Sequence, residues 1–197
     1  MTSASESITT SLKSSLLNYQ YENGRKYSGF GKEKYFMPKD ERENERLDLV
    51  AYMLNLTMKG ELHKAPIGSN PQRILDLGTG TGIWAIDMGG RPFSNKVIGN
   101  DIAASQPTTV PPNVRFEIDD IEQDWIYSSK FDFIHMRMMS GALRNWPRLM
   151  QQVFEPGGWV EFMDFTMHVY SNTDKGTFKP GCPIDTWCNE PKNFWMT

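Results

Sequence analysis

Ile74-Leu75-Asp76-Leu77-Gly78-Thr79-Gly80-Thr81-Gly82 sets a short apolar run directly against three glycines spaced two apart, and Ile83–Met88 follows at helical spacing. A buried strand therefore meets a helix through a glycine loop. Further apolar runs follow at Lys96–Ile102, Val114–Ile118, Phe131–Met136 and Trp159–Phe165, with a helix predicted over Leu143–Phe154 between the last two. Strands alternating with helices imply an α/β fold, a mostly parallel sheet with helices on both faces. The link Ala103–Asn113 carries Pro107, Pro111 and Pro112, so a full helix does not fit there. In such a sheet ligands bind at the carboxyl edge of the strands, where the glycine loop lies.

Two ligand classes compete for that loop. A dinucleotide fingerprint, G-x-G-x-x-G, seats pyrophosphate on a helix N-terminus. Here the third glycine comes one residue early, at Gly82, and Ile83 stands where the fingerprint wants glycine. Asp76, two residues before Gly78, would repel pyrophosphate and suit a cationic ligand. The pattern apolar-x-Asp-x-Gly-x-Gly-x-Gly resembles motif I of class I S-adenosylmethionine (SAM) methyltransferases. That resemblance assigns Asp76, Gly78, Thr79, Gly80 and Gly82 to cofactor binding. Asp101 ends the second run, 23 residues after Gly78, and with Ile102 is placed to serve a ribose; a dehydrogenase would share this feature. Asp119 and Asp120 follow the third run, and the resemblance gives Asp120 and Ile121 the adenine contacts. Glu155-Pro156-Gly157-Gly158-Trp159 is a turn feeding the fifth strand.

Residues 21 to about 190 resemble the LaeA-like methyltransferases of filamentous fungi. The match is carried by Tyr35-Phe36-Met37-Pro38-Lys39-Asp40-Glu41 with Arg46-Leu47-Asp48, by LDLGTGTGIWAIDM and VPPNVRFEIDDIEQDW, and by FDFIHMRMMSGALRNWP and EPGGWVEFMD. The branch of velvet-interacting methyltransferases is especially similar. The resemblance implies a Rossmann-like class I core, SAM as cofactor, a nuclear or cytoplasmic regulator of secondary metabolism and development, and velvet-type or other protein partners. It also implies seven strands. Only about 32 residues follow the fifth run, without a clear strand pair, so the last two strands are expected to be missing and the core incomplete at its C-terminus.

Around that core, nine of the first fifteen residues are Ser or Thr, and residues 1–24 read as a disordered tail. Residues 25–66 read as a lid segment and 67–197 as the SAM-binding core. Pro38 and Asp40 are helix-start signals for a helix over 38–60, with Leu47, Val50, Ala51, Leu54 and Met58 on one face. Tyr35, just before it, is placed either for aromatic contact with a sulfonium or in the core.

The catalytic edge is the end of the fourth run, Ile134-His135-Met136-Arg137-Met138-Met139. The Asn-Pro-Pro-Tyr type motif of base-methylating enzymes is absent there, which argues against a nucleic-acid base as acceptor. His135 is a candidate general base, or a packed histidine on the same face as Phe131 and Phe133. Arg137 is a candidate holder of an acidic substrate, or a partner in a salt bridge to a neighbouring helix. The acceptor itself, protein or small molecule, is not encoded in any motif.

The 197 residues carry a net charge of −3, 39% hydrophobic residues and two cysteines. The absence of a basic surplus argues against nucleic-acid binding. No apolar stretch approaches the roughly 18 residues of a membrane span. No basic-then-apolar secretory signal opens the chain. Cys182 and Cys188 form neither a disulfide framework nor a zinc site, and no metal is expected. Two alternatives to an active methyltransferase are a methyltransferase-fold binding module in a regulatory complex and a nicotinamide-binding Rossmann protein.

Overall fold

The computed structural model describes residues 19–28, 37–92, 96–154 and 158–165. Residues 1–163 form one compact unit and 164–197 a second, of which Asp164 and Phe165 are described. The strands are β1 (Tyr19–Glu22), β2 (Arg25–Ser28), β3 (Ile74–Leu77), β4 (Val97–Asp101), β5 (Val114–Ile118), β6 (Phe133–Arg137) and β7 (Trp159–Met163). The helices are α1 (Glu41–Thr57), α2 (Ile83–Gly89) and α3 (Trp146–Val153). β3 to β7 form one parallel sheet in the order β5-β4-β3-β6-β7. The order reverses at β3, so the glycine loop leaves the sheet at its topological switch point. Strand order and direction are those of the Rossmann-like class I methyltransferase core. The expectation about two missing strands concerns residues 166–197, outside the described residues.

The core forms on both faces of β3 and β6 because side chains alternate. Leu75, Leu77, Ile134 and Met136 pack with Leu149 and Val153 of α3. Ile74 and Phe133 pack on the other face with Trp84, Ala85 and Met88 of α2. Each of the Leu, Ile, Val, Met and Phe side chains among them, fully buried, contributes about 1.5–3 kcal/mol. Phe131 belongs to the α3 face and Phe133 to the α2 face, so His135 shares a face with Phe133 alone. Phe131 precedes the strand, and the alternation expected from it does not hold there. The proline-rich link Ala103–Asn113 contains no helix, as expected.

Two sequence expectations are corrected. The predicted tail to residue 24 fails at its end, because Tyr19–Glu22 pairs with Arg25–Ser28 in an antiparallel hairpin. Asn23 and Gly24 turn it with φ of 51° and 74°, the geometry a two-residue hairpin needs. The Asn-Gly dipeptide was the available signal. The helix predicted from Leu143 starts at Trp146 instead, because the Asn145 side chain caps it by accepting the Arg148 N–H. Glu122 Oε1 accepts the N–H groups of Arg144 and Asn145 and holds the preceding turn.

Asp40 ties the hairpin to α1. Its carboxylate caps the helix by accepting the Glu43 N–H at 3.0 Å. It also receives two bonds from the Arg25 guanidinium, at 2.6 and 2.9 Å, and the Lys26 N–H. The Arg25 hydrogen bonds hold the Asp40 carboxyl well below its ordinary 3.8. A depressed folded value means that the linked stability is present above pH 3.8 and is lost as pH falls towards the folded value. Acidification from about pH 5 to about pH 2 is expected to weaken the tie between the hairpin and α1 progressively. Amide-exchange protection of Arg25–Ser28 should fall over that range, and Asp40→Asn should remove the pH dependence. Protection that does not change with pH would overturn the assignment.

Candidate cofactor and methyl-transfer site

At the carboxyl edge of the sheet, a cleft of about 1140 Å³, its mouth included, opens between α1 and the strand ends. The glycine loop forms its floor. Gly78, Gly80 and Gly82 have φ of 65°, 59° and 83°, a left-handed backbone that residues with a Cβ avoid. At Gly82, the N-cap of α2, a Cβ would also lie 2.4 Å from the ring of Phe116. The early third glycine is therefore required by the turn into α2 and its packing on β5. Gly82 does not line the cleft, whereas Gly78, Thr79 and Gly80 do.

Asp101 stands at the wall, half-buried at the end of β4. One carboxylate oxygen accepts the Gly80 N–H and the other the Ala103 N–H, both at 2.8 Å. Burial pushes its pKa up from 3.8, and the two N–H bonds and the Lys39 charge oppose this. The glycine loop is thus tied to β4 by Asp101 and by Thr79 N–H to Asn100 O at 2.9 Å. Ile102, Asp120 and Ile121 also line the cleft. The Asp120 carboxylate receives the Glu122 N–H and the Gln123 side-chain amide, so it shapes its own turn as well. Ile121 is buried against the α3 face of the core.

Asp76 is placed differently from the expectation. It is 2% exposed and does not line the cleft. Thr79 Oγ1 donates to its Oδ2 at 2.5 Å, and His135 Nδ1 lies 2.7 Å from its Oδ1. The register explains this. Asp76 and His135 are direct neighbours on β3 and β6 and point to the same face, under α2. His135 is 0% exposed and stacks on Trp84 at 3.7 Å with the rings 5° apart. Trp84 is held in turn by its indole N–H on Leu62 O. His135 Nε2 has no hydrogen-bond partner among the described residues. The packed-histidine alternative is the one seen, and a base at the cleft wall is not. Trp84, Asp87, His135 and Arg137 border a second cavity between α1 and α2.

Arg137 ends β6 and lines both cavities. Burial pushes its pKa down, while Asp76 and Asp87 oppose this. No salt bridge to a neighbouring helix forms within 4 Å among the described residues. Tyr35 lies outside the described residues.

Sequence reasoning missed most of the α1 wall. Lys39, Glu43 and Leu47 line the cleft. The reading of residues 25–66 as a lid segment and the helical spacing of Leu47, Val50, Ala51 and Leu54 gave the segment and its apolar face, but not the charged residues that line the cleft. The charged start of the helix is only partly solvated. Glu43 is 4% exposed and paired with Arg46, and Thr81 Oγ1 donates to Asp48 at 2.6 Å, fastening α1 to the loop.

The charged residues of the lining test the ligand class. Glu43, Asp101, Asp119, Asp120 and Glu122 are acids, and Lys39 and Arg137 are bases. A pyrophosphate would meet repulsion here, whereas a ligand with a sulfonium and an ammonium group is favoured. Fold and cleft define the class of SAM-dependent methyltransferases, and their residues fit that cofactor.

Residues 42–192 match the methyltransferase-domain family, and the chain belongs to it. Methyltransferase pytC of Aspergillus terreus is 41% identical over 179 residues, covering 89% of this chain and 55% of that protein. Secondary metabolism regulator LAE1 of Cochliobolus heterostrophus is 39% identical over 179 residues, covering 86% and 57%. Protein-methionine methyltransferase laeA of Emericella nidulans is 39% identical over 149 residues, covering 73% and 40%. The chain thus spans about half the length of the curated relatives it matches.

Proposed function

We propose that the cleft binds SAM and that the protein to which this chain corresponds transfers the methyl group to an acceptor held beside β6, as part of the control of fungal secondary metabolism and development. The single observation behind the cofactor assignment is the Asp101 carboxylate, fixed by the Gly80 and Ala103 N–H groups in a cleft whose lining acids outnumber its bases. The relatives named as secondary metabolism regulators support the biological role.

When bound, SAM supplies an electrophilic methyl group on a sulfonium. The residues of this chain supply position and exclusion of water. Asp101 offers carboxylate acceptors to a ribose, and Asp120 and Ile121 border the adenine end. Leu47, Val50, Ala51 and Leu54 of α1 cover the cleft. Among the described residues the wall carries carboxylates and no histidine, so a protonated acceptor would need one of those carboxylates as its base, whereas an acceptor that carries no proton needs none. A methionine thioether is such an acceptor, and one relative is named a protein-methionine methyltransferase.

Calorimetric titration of the full chain with S-adenosylhomocysteine tests the cofactor assignment, with NADH as the control. Binding of the homocysteine compound and none of NADH is expected. Asp101→Ala should weaken it about 100-fold, the value of one to two charge-assisted hydrogen bonds. NADH binding in its place would overturn the proposal and restore the nicotinamide alternative. Cofactor binding with no methyl transfer to any acceptor would favour the binding-module alternative.

A further inference from the structure

We infer that Arg137 holds the α-carboxylate of the cofactor, an inference that rests on the SAM reading of the cleft. SAM carries one anionic group, and among the described residues the cleft has two cationic side chains in its lining, Lys39 and Arg137. They stand at opposite ends. Lys39 Nζ lies 3.5 Å from Ile102 O and its charge is felt by Asp101, so Lys39 belongs to the ribose end. Arg137 follows Met136, which is paired with Leu77, so it sits beside the start of the glycine loop.

Strand order then sets the direction of the ligand. Asp120 follows β5, Asp101 ends β4, the glycine loop leaves β3 and Arg137 ends β6. A ligand with its adenine at Asp120 and its ribose at Asp101 runs across the loop and brings its amino-acid end to Arg137. β4 and β6 are two strand spacings apart, about 10 Å. That is a reach suited to a chain of a few bonds beyond the ribose.

The state of Arg137 fits an anion-binding role. Arg137 is half-buried, and its guanidinium makes no hydrogen bond or ion pair within 4 Å among the described residues. A partly desolvated cation without a direct partner is costly, and a carboxylate in the cleft would offset that cost. The planar fork of arginine matches a carboxylate in two-point contact, which lysine does not reproduce. Its nearest acids, Asp76 and Asp87, act at a distance. Asp76 is already bonded to Thr79 and His135.

Titration of the full chain with S-adenosylhomocysteine and with its decarboxylated analogue, which lacks only the carboxylate, tests the assignment. Arg137→Met is expected to weaken the parent compound about 30-fold and the analogue less than about threefold, with Arg137→Lys recovering part of the loss. Arg137→Gln gives the same comparison should the methionine variant fail to fold. Equal weakening of both ligands, or of neither, in folded variants would overturn the carboxylate role. Failure of the unmodified chain to bind either ligand would sink the cofactor reading together with this one. Loss of binding in Asp101→Ala without any carboxylate-specific loss in the Arg137 variants would sink this one alone.

Discussion

Asp76→Ala is expected to cost about 3 kcal/mol of stability, lowering the melting temperature by about 9 °C for a chain of this size. The reason is what the alanine leaves behind. Thr79 Oγ1 loses its acceptor, and the His135 ring loses the carboxylate beside Nδ1, in a layer where Asp76 is 2% and His135 0% exposed. Buried groups stripped of their partners recover no water bonds. Trp84, stacked flat on His135, prevents the ring from turning away to find another partner. Asp76→Asn keeps the shape and one acceptor, so about 1 kcal/mol is expected. The pair of variants also separates scaffold from ligand contact. With Asp76 away from the cleft wall, folded Asp76→Asn should bind S-adenosylhomocysteine within about tenfold of the unmodified chain. Complete loss of binding in a folded Asp76→Asn protein would show that the carboxylate meets the cofactor after all.

Asp76 also shows where the sequence stops being legible. Its two-residue lead over Gly78 marked it as special, and special it is, but its partner lies 59 positions away on β6. Only the register of β3 against β6 sets Asp76 opposite His135, and no local pattern encodes register between strands so far apart. Asp101 was readable in its place at a strand end, where one of its two bonds is local; the other, from the Gly80 N–H 21 residues away, was not. The local one comes from the Ala103 N–H, two residues on. The glycine spacing was readable because a left-handed backbone is a demand made residue by residue. The α1 wall was half readable. Leu47, Val50, Ala51 and Leu54 declared an apolar face, yet the same spacing would suit any core. That Lys39 and Glu43 reach the cleft depends on how the helix lies across the loop, which is fixed by Thr81 on Asp48, a contact between residues 33 apart. Arg137 was readable as a residue at a strand end, and its want of a direct partner among the described residues was not.

Gly158→Ala is expected to cost at least about 3 kcal/mol and to loosen β7 from the sheet. Gly158 stands at the entry to β7, where a Cβ would lie 2.3 Å from Phe131 O and 2.7 Å from Asp132 O. Both are backbone atoms just before β6, so no side chain can swing aside to make room. The strand itself must move, and with it the bond from Trp159 N–H to Asp132 O, 2.8 Å, that opens the β6–β7 ladder. The effect should travel along the ladder. Its last pair is Arg137 with Met163, and just beyond it Met138 N–H donates to Met163 O at 2.9 Å. Met138 has a φ of 59°, which a non-glycine residue holds only against strain, so that bond helps to keep the end of β6 in place. Release of β7 should therefore cost cofactor binding as well, although Gly158 lies at the far end of the strand pair from the cleft. Hydrogen exchange should show early loss of protection at Trp159–Met163 in Gly158→Ala, ahead of Ile74–Leu77. The variant should also bind S-adenosylhomocysteine at least about tenfold more weakly. Unchanged protection of β7 in the variant would mean that the chain enters the sheet along another path. Lost protection with unchanged binding would mean that the cleft does not depend on the β6–β7 ladder.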